Sequence, residues 1–117
     1  MPFQRLLESL VRAVPGAQAA LLLDSQGELV VRAGALDDRH QLVGAYQGIA
    51  LFGLRKASER SGTGPLRYLV WRYRSGHVIL RPLKDGYYLV LTLGLGAEVG
   101  RGVNRALSTS EQVNAEL

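Results

Sequence analysis

From Leu66 to Leu93 the chain reads LRYLVWRYRSGHVILRPLKDGYYLVLTL, three apolar-rich runs parted by two short breaks that each hold a glycine. Leu66–Arg74, His77–Leu83 and Tyr87–Leu93 have the length and the β-branched and aromatic content of strands, and Ser75-Gly76 and Lys84-Asp85-Gly86 are turn sequences. Links this short cannot carry the crossover that parallel neighbours require, so the three strands run antiparallel.

Working outward, Ala17–Leu23 and Glu28–Ala33 form a further hairpin around Asp24-Ser25-Gln26-Gly27. Ahead of it, Phe3, Leu6, Leu7, Leu10, Val11 and Val14 recur at helical spacing, with Pro2 suited to the first turn and Pro15-Gly16 as the stop. A second helix starts at Asp37 or Asp38, either of which can accept from the free amides of a first turn, and runs to about Arg60 before Ser61-Gly62-Thr63-Gly64-Pro65. A final helix carries Leu95, Val99, Val103, Ala106 and Leu107 on one face, and residues 109–117 read as a short extra helix capped by Ser110 or as a frayed tail. The expected order is α-β-β-α-β-β-β-α, an α+β class, in a single domain spanning residues 1–117.

Composition agrees with one ordinary soluble domain: 117 residues, 47% hydrophobic and 21% charged. Zero cysteines exclude disulfides, thiol nucleophiles and thiolate zinc sites, and they fit a reducing cytoplasmic setting. The longest apolar run, Ala19–Leu23, is far short of the roughly 20 residues that cross a bilayer, and Met1–Gln4 does not open a secretory signal. The net charge of +4 allows an acidic partner of any kind. Arginine supplies all the basic residues except Lys56 and Lys84, a bias that fits a GC-rich or heat-adapted genome.

Projected at 100° per residue, the second helix is apolar over about 200°, through Leu42, Val43, Ala45, Tyr46, Ile49, Ala50, Phe52, Gly53, Leu54 and Ala57. One sheet hides about half of that arc, and a second copy of the same helix would cover the surplus. Gly44 and Gly48 would allow a close approach, and as surface positions in a glycine-rich chain they need no such role.

The strand Leu66–Arg74 holds the only tryptophan, with Arg67, Leu69, Trp71 and Tyr73 on one face and Tyr68, Val70, Arg72 and Arg74 on the other. Three readings fit: a platform for single-stranded nucleic acid, a strand that pairs with its own copy, and an ordinary strand whose arginine stems cover aromatic surface. Pairing with a copy is preferred, because aromatics and arginines are favoured at protein contacts.

No catalytic constellation emerges. His40 and His77 read as surface or turn residues, and Asp24, Asp37, Asp38 and Asp85 are explained by turns and caps. Gly94-Leu95-Gly96-Ala97-Glu98-Val99-Gly100 follows a strand, yet too little chain remains for a dinucleotide-binding unit, so a tight strand-to-helix turn is expected. The chain contains no phosphate-binding Walker sequence, and neither a cofactor nor a metal is expected.

Val14-Pro15-Gly16-Ala17 leading into Ala20-Leu21-Leu22-Leu23-Asp24-Ser25-Gln26-Gly27-Glu28, the helix beginning near Asp38, Leu80-Arg81-Pro82-Leu83-Lys84-Asp85-Gly86-Tyr87-Tyr88-Leu89, and Leu95-Gly96 form an ordered set. That set resembles the Roadblock / dynein light-chain family, particularly its bacterial MglB-like branch, from about Phe3 to Leu107. The resemblance implies a five-stranded antiparallel sheet with the long second helix on one face and the terminal helices on the other. It also implies a homodimer with third strands paired and second helices packed together, which puts Leu69, Trp71, Tyr73, Tyr46, Ile49 and Phe52 at the interface. Members of such a family are typically noncatalytic partners of small Ras-like GTPases, as regulators or scaffolds and in some cases activators. Arg39, Arg55 and Arg60 are then the candidates to face the GTPase. The alternative carried forward is a small ligand-sensing or single-stranded nucleic-acid-binding domain.

Overall fold

A computed structural model describes residues 2–34, 56–57 and 59–117. The predicted second helix lies outside the described residues except at its end, where Lys56, Ala57 and Glu59 to Ser61 are helical. Gly62 and Gly64, at φ +71 and +95, follow it, in agreement with the expected glycine-rich stop.

The strands are β1 (Ala17–Leu23), β2 (Leu29–Gly34), β3 (Leu69–Tyr73), β4 (Gly76–Pro82) and β5 (Tyr88–Gly94). They form one sheet in the order β2-β1-β5-β4-β3 with every pairing antiparallel. Sequence texture follows position in the sheet. Central β1 and β5 are buried on both faces along nearly their whole length and read as continuous apolar runs, whereas edge strand β2 alternates buried and exposed residues. Observed bounds depart from the expected ones mainly at β3, where Leu66–Tyr68 precede the strand and Arg74 belongs to the turn after it.

Two helices, α1 (Pro2–Ala13) and α2 (Val99–Glu116), pack against each other and across β2, β1, β5 and β4. Leu7 and Leu10 of α1 and Ala106 and Val113 of α2 meet Ala20, Leu22, Ile79, Leu89, Leu91 and Leu93 in one core layer. Each fully buried leucine contributes about 2 kcal/mol there. The opposite sheet face carries a second layer of Leu21, Leu23, Val78, Leu80, Tyr88 and Val90, with Leu29, Leu66, Leu69 and Trp71 against it.

The turns behave as their residues dictate. Asp24 Oδ1 accepts from the amides of Gln26 and Glu28 at 2.9 and 3.0 Å, closing the β1–β2 link. Asp85 and Gly86 both take positive φ in the single 3-10 turn between β4 and β5.

Two expectations need correcting. Leu95 does not belong to the apolar face of the last helix: it sits in the turn after β5, 66% exposed, and α2 begins only at Val99. Nor is the end of the chain a frayed tail or a separate helix capped by Ser110, because α2 is continuous to Glu116. Ser110 is buried in mid-helix and donates its hydroxyl to the Ala106 carbonyl at 2.6 Å. The last turn is held by the β4–β5 link, where the Lys84 amide donates to Asn114 Oδ1 at 2.9 Å and Lys84 Nζ to the Leu117 carbonyl at 3.1 Å.

Candidate functional site

The sheet has two edges, and they are finished differently. At β2, Gln4 of α1 donates its Nε2 to the Arg32 carbonyl at 2.8 Å, so a side chain covers part of the edge. β3 is the other edge; it pairs with β4 alone, and its outer side meets no strand among the described residues. Unpaired amides and carbonyls along an edge are a template for another strand.

Register sorts the side chains of this edge. Leu69, Trp71 and Tyr73 lie opposite Leu80, Val78 and Gly76, which puts them on the face of the second core layer. Leu69 and Trp71 are half-buried against that layer, and Tyr73 is 41% exposed. Alternation thus brings together the three interface residues expected on this strand. Tyr46, Ile49 and Phe52 lie outside the described residues, as do Arg39 and Arg55 and the glycine pair at 44 and 48. Arg60 is exposed in the last helical turn before Gly62.

Val70 and Arg72 lie opposite Ile79 and His77, on the face that carries α1 and α2. Val70 is 40% exposed and Arg72 is exposed, because the helices pack over β2, β1, β5 and β4 and leave this margin bare. Arg81 completes the row on β4 opposite Leu89. One of its terminal nitrogens donates to the Arg67 carbonyl, and its Nε has no partner among the described residues. Burial holds the Arg81 pKa below the ordinary arginine value, with the Arg67 charge adding to the effect and Glu111 opposing it.

His77 differs from its sequence reading. It is a half-buried residue of β4, neither in a turn nor on open surface, and its Nδ1 is buried without a partner among the described residues. The row His77, Ile79, Arg81 is visible in the sequence as alternation along β4. Its burial, complete at Ile79 and partial at His77 and Arg81, is not, since that depends on where α2 crosses the sheet.

Gly94 ends β5 and the Ala97 amide returns to the Gly94 carbonyl at 3.1 Å, so the glycine run builds a strand-to-helix turn. Among the described residues no helix is long and apolar enough to cross a membrane.

The model of the Roadblock/LC7 domain matches residues 3–93. No curated protein matches the chain. Among solved structures, the Roadblock/LC7 domain from Streptomyces avermitilis superposes with a TM-score of 0.83 at 23% identity, over 97% of this chain and 95% of that one. Myxococcus xanthus MglB gives 0.86 at 12% identity over 98% and 94%. The gliding protein MglB from Thermus thermophilus gives 0.73 at 22% over 98% and 90%. The described residues form a five-stranded antiparallel sheet with α1 and α2 packed on one face, within the fold of these structures. With the domain model matched from Phe3 to Leu93 and that architecture in place, the chain belongs to the Roadblock/LC7 family.

Proposed function

We propose that the chain is a noncatalytic binding module that acts in the cytoplasm as a homodimer, and that the dimer regulates or scaffolds a small Ras-like GTPase. The observation that carries this reading is the open edge of β3 in a Roadblock/LC7 sheet, with Leu69, Trp71 and Tyr73 aligned along one face of it. Antiparallel pairing of β3 with its copy would satisfy the edge and join two sheets into one. Tyr46, Ile49 and Phe52 extend the seam in this proposal, and Arg39, Arg55 and Arg60 turn toward the GTPase.

A module with no catalytic group of its own can still accelerate GTP hydrolysis by ordering the switch segments of the GTPase, since positioning and charge stabilisation dominate phosphoryl transfer. An arginine inserted beside the transferring phosphoryl group would act in the same direction.

Sedimentation at micromolar concentration together with affinity capture from a lysate of the source organism tests the proposal. A dimer that retains a P-loop GTPase in a nucleotide-dependent manner is the expected result. A monomer defeats the dimer, and recovery of nucleic acid in place of a GTPase favours the nucleic-acid-binding alternative. Single-turnover GTP hydrolysis with and without the chain then separates activation from scaffolding.

A further inference from the structure

The chain carries 14 basic and 10 acidic residues, a difference of +4. Between Glu59 and Asp85 there is no acidic residue, and the β3–β4 hairpin with its flanks holds Arg67, Arg72, Arg74 and Arg81. Those four arginines equal the entire net charge, and the other ten basic residues balance the ten acidic ones. The basic character of the protein is therefore local.

Two of the four, Arg72 and Arg81, lie on the helix-bearing face, beside the margin of β3 that α1 and α2 leave uncovered. On the helix-bearing face, Val70 and Arg72 of β3 adjoin His77 and Arg81 of β4, and Ile79 between them is buried in the first core layer beside Gly102 of α2. Tyr68, just ahead of β3, is 41% exposed. Two half-buried side chains in this row, His77 and Arg81, each keep a buried polar nitrogen without a hydrogen-bond partner among the described residues. Burial first, and then the charge of Arg67, disfavour the Arg81 cation, with Glu111 opposing them, and an incoming carboxylate would favour it.

We infer that the outer margin of the hairpin's helix-bearing face, along β3 and beside Arg81, docks an acidic segment of a partner protein, one that alternates carboxylates with apolar side chains. Carboxylates meet Arg72 and Arg81, and apolar groups cover Val70 and Tyr68. Charge complementarity selects the partner and speeds the encounter. The inference rests on the proposed dimer only for the length of the surface: each protomer has the patch, and pairing of β3 edges would set two patches side by side.

Fluorescence anisotropy with a labelled peptide of twelve residues alternating glutamate and leucine provides the test. A lysine–leucine peptide and a twelve-residue oligothymidylate serve as competitors in class. The full chain is expected to bind the acidic peptide, to ignore the basic one, and to lose at least tenfold in affinity between 50 mM and 500 mM salt. Arg72→Glu should weaken binding tenfold or more and Arg72→Gln by less, with the circular dichroism spectrum unchanged, while Arg32→Glu on the far edge has no effect. Wild-type binding by Arg72→Glu overturns the inference, as does an equal loss from Arg32→Glu or tighter binding of the oligothymidylate. A monomer that binds the acidic peptide in this pattern upholds the inference and removes the dimer; a dimer that ignores the peptide does the reverse.

Discussion

Trp71 of β3 stands opposite Val78 of β4, and its indole packs on the core layer formed by Leu21, Leu23, Val78, Leu80, Tyr88 and Val90. The only tryptophan of the chain is thus shared between the chain's own core and the open edge of the sheet. A substitution there acts on both.

Trp71→Glu should abolish dimerisation and also lower the unfolding midpoint, because a carboxylate placed against an apolar layer costs about 2–5 kcal/mol. Tyr73→Glu separates the two effects. Tyr73 lies on the same face and is 41% exposed, so its charge burdens the seam more than the core. Sedimentation velocity and thermal unfolding are expected to show a folded monomer for Tyr73→Glu, and a Tyr73→Glu protein that remains dimeric would place the seam elsewhere.

The legible part of this fold is the part where burial follows from local pattern. β1 and β5 announce themselves as apolar runs, broken only by Gln18 and Thr92, because both faces are covered, and the Asp24 and Asp85 turns follow from residues that tolerate or support tight backbone geometry. The end of α2 is illegible for the opposite reason. Its burial is supplied by Leu7, Leu10 and the β4–β5 link, distant in sequence, while its own residues Ser108 to Glu116 are mostly polar. At the site, alternation correctly groups Leu69, Trp71 and Tyr73, a local property. The exposure of Val70 and Arg72 beside half-buried His77 and Arg81 depends on which strands α1 and α2 cover, and that is set by the whole sheet.

Gly76 opens β4 at φ +149, and a Cβ at this position would run into the carbonyl oxygen of Leu93 on β5. Gly76→Ala forces backbone apart from backbone and strains φ, with an expected loss of roughly 3 kcal/mol or more. Gly100, in the first turn of α2, has open space around it, so Gly100→Ala should stabilise by about 0.5–1 kcal/mol through helix propensity. Urea unfolding of the two variants should give shifts of opposite sign. Equal shifts would mean that β4 and β5 are not as close at Gly76 as the paired Gly76 and Gly94 require.

Tyr88 is 4% exposed and its hydroxyl has no hydrogen-bond partner among the described residues. Burial, and secondarily the charge of Asp24, raise its pKa above the ordinary value of 10.0. The native state therefore holds the phenol proton more tightly than the unfolded chain does. The corresponding stability is complete below pH 10 and is lost as pH climbs from there through the raised folded value. Tyr88→Phe removes an unsatisfied hydroxyl while keeping the ring, so stability at pH 7 should be unchanged or higher by up to about 1 kcal/mol. Its alkaline loss of stability should be shallower than that of the wild type, and a steeper loss would contradict the burial of the hydroxyl.

Val113 is fully buried near the end of α2 and belongs to the same core layer as Leu7, Leu10 and Leu89. Val113→Ala removes two methyl groups from that layer and should lower stability by about 2 kcal/mol, through lost burial and the small void left behind. Asn114→Ala breaks the bond from the Lys84 amide to Asn114 Oδ1 and should remove about 1 kcal/mol more locally, seen as faster amide exchange at Lys84. Truncation after Ser108 removes Thr109, Ser110 and Val113 together, all buried, and bares the core over β4 and β5. Such a chain should unfold at markedly lower temperature and expose apolar surface to a hydrophobic dye. If it instead melted with the full-length protein, the last turns of α2 would be a passenger on the sheet, and the bonds from Lys84 to Asn114 and Leu117 would contribute nothing to holding them.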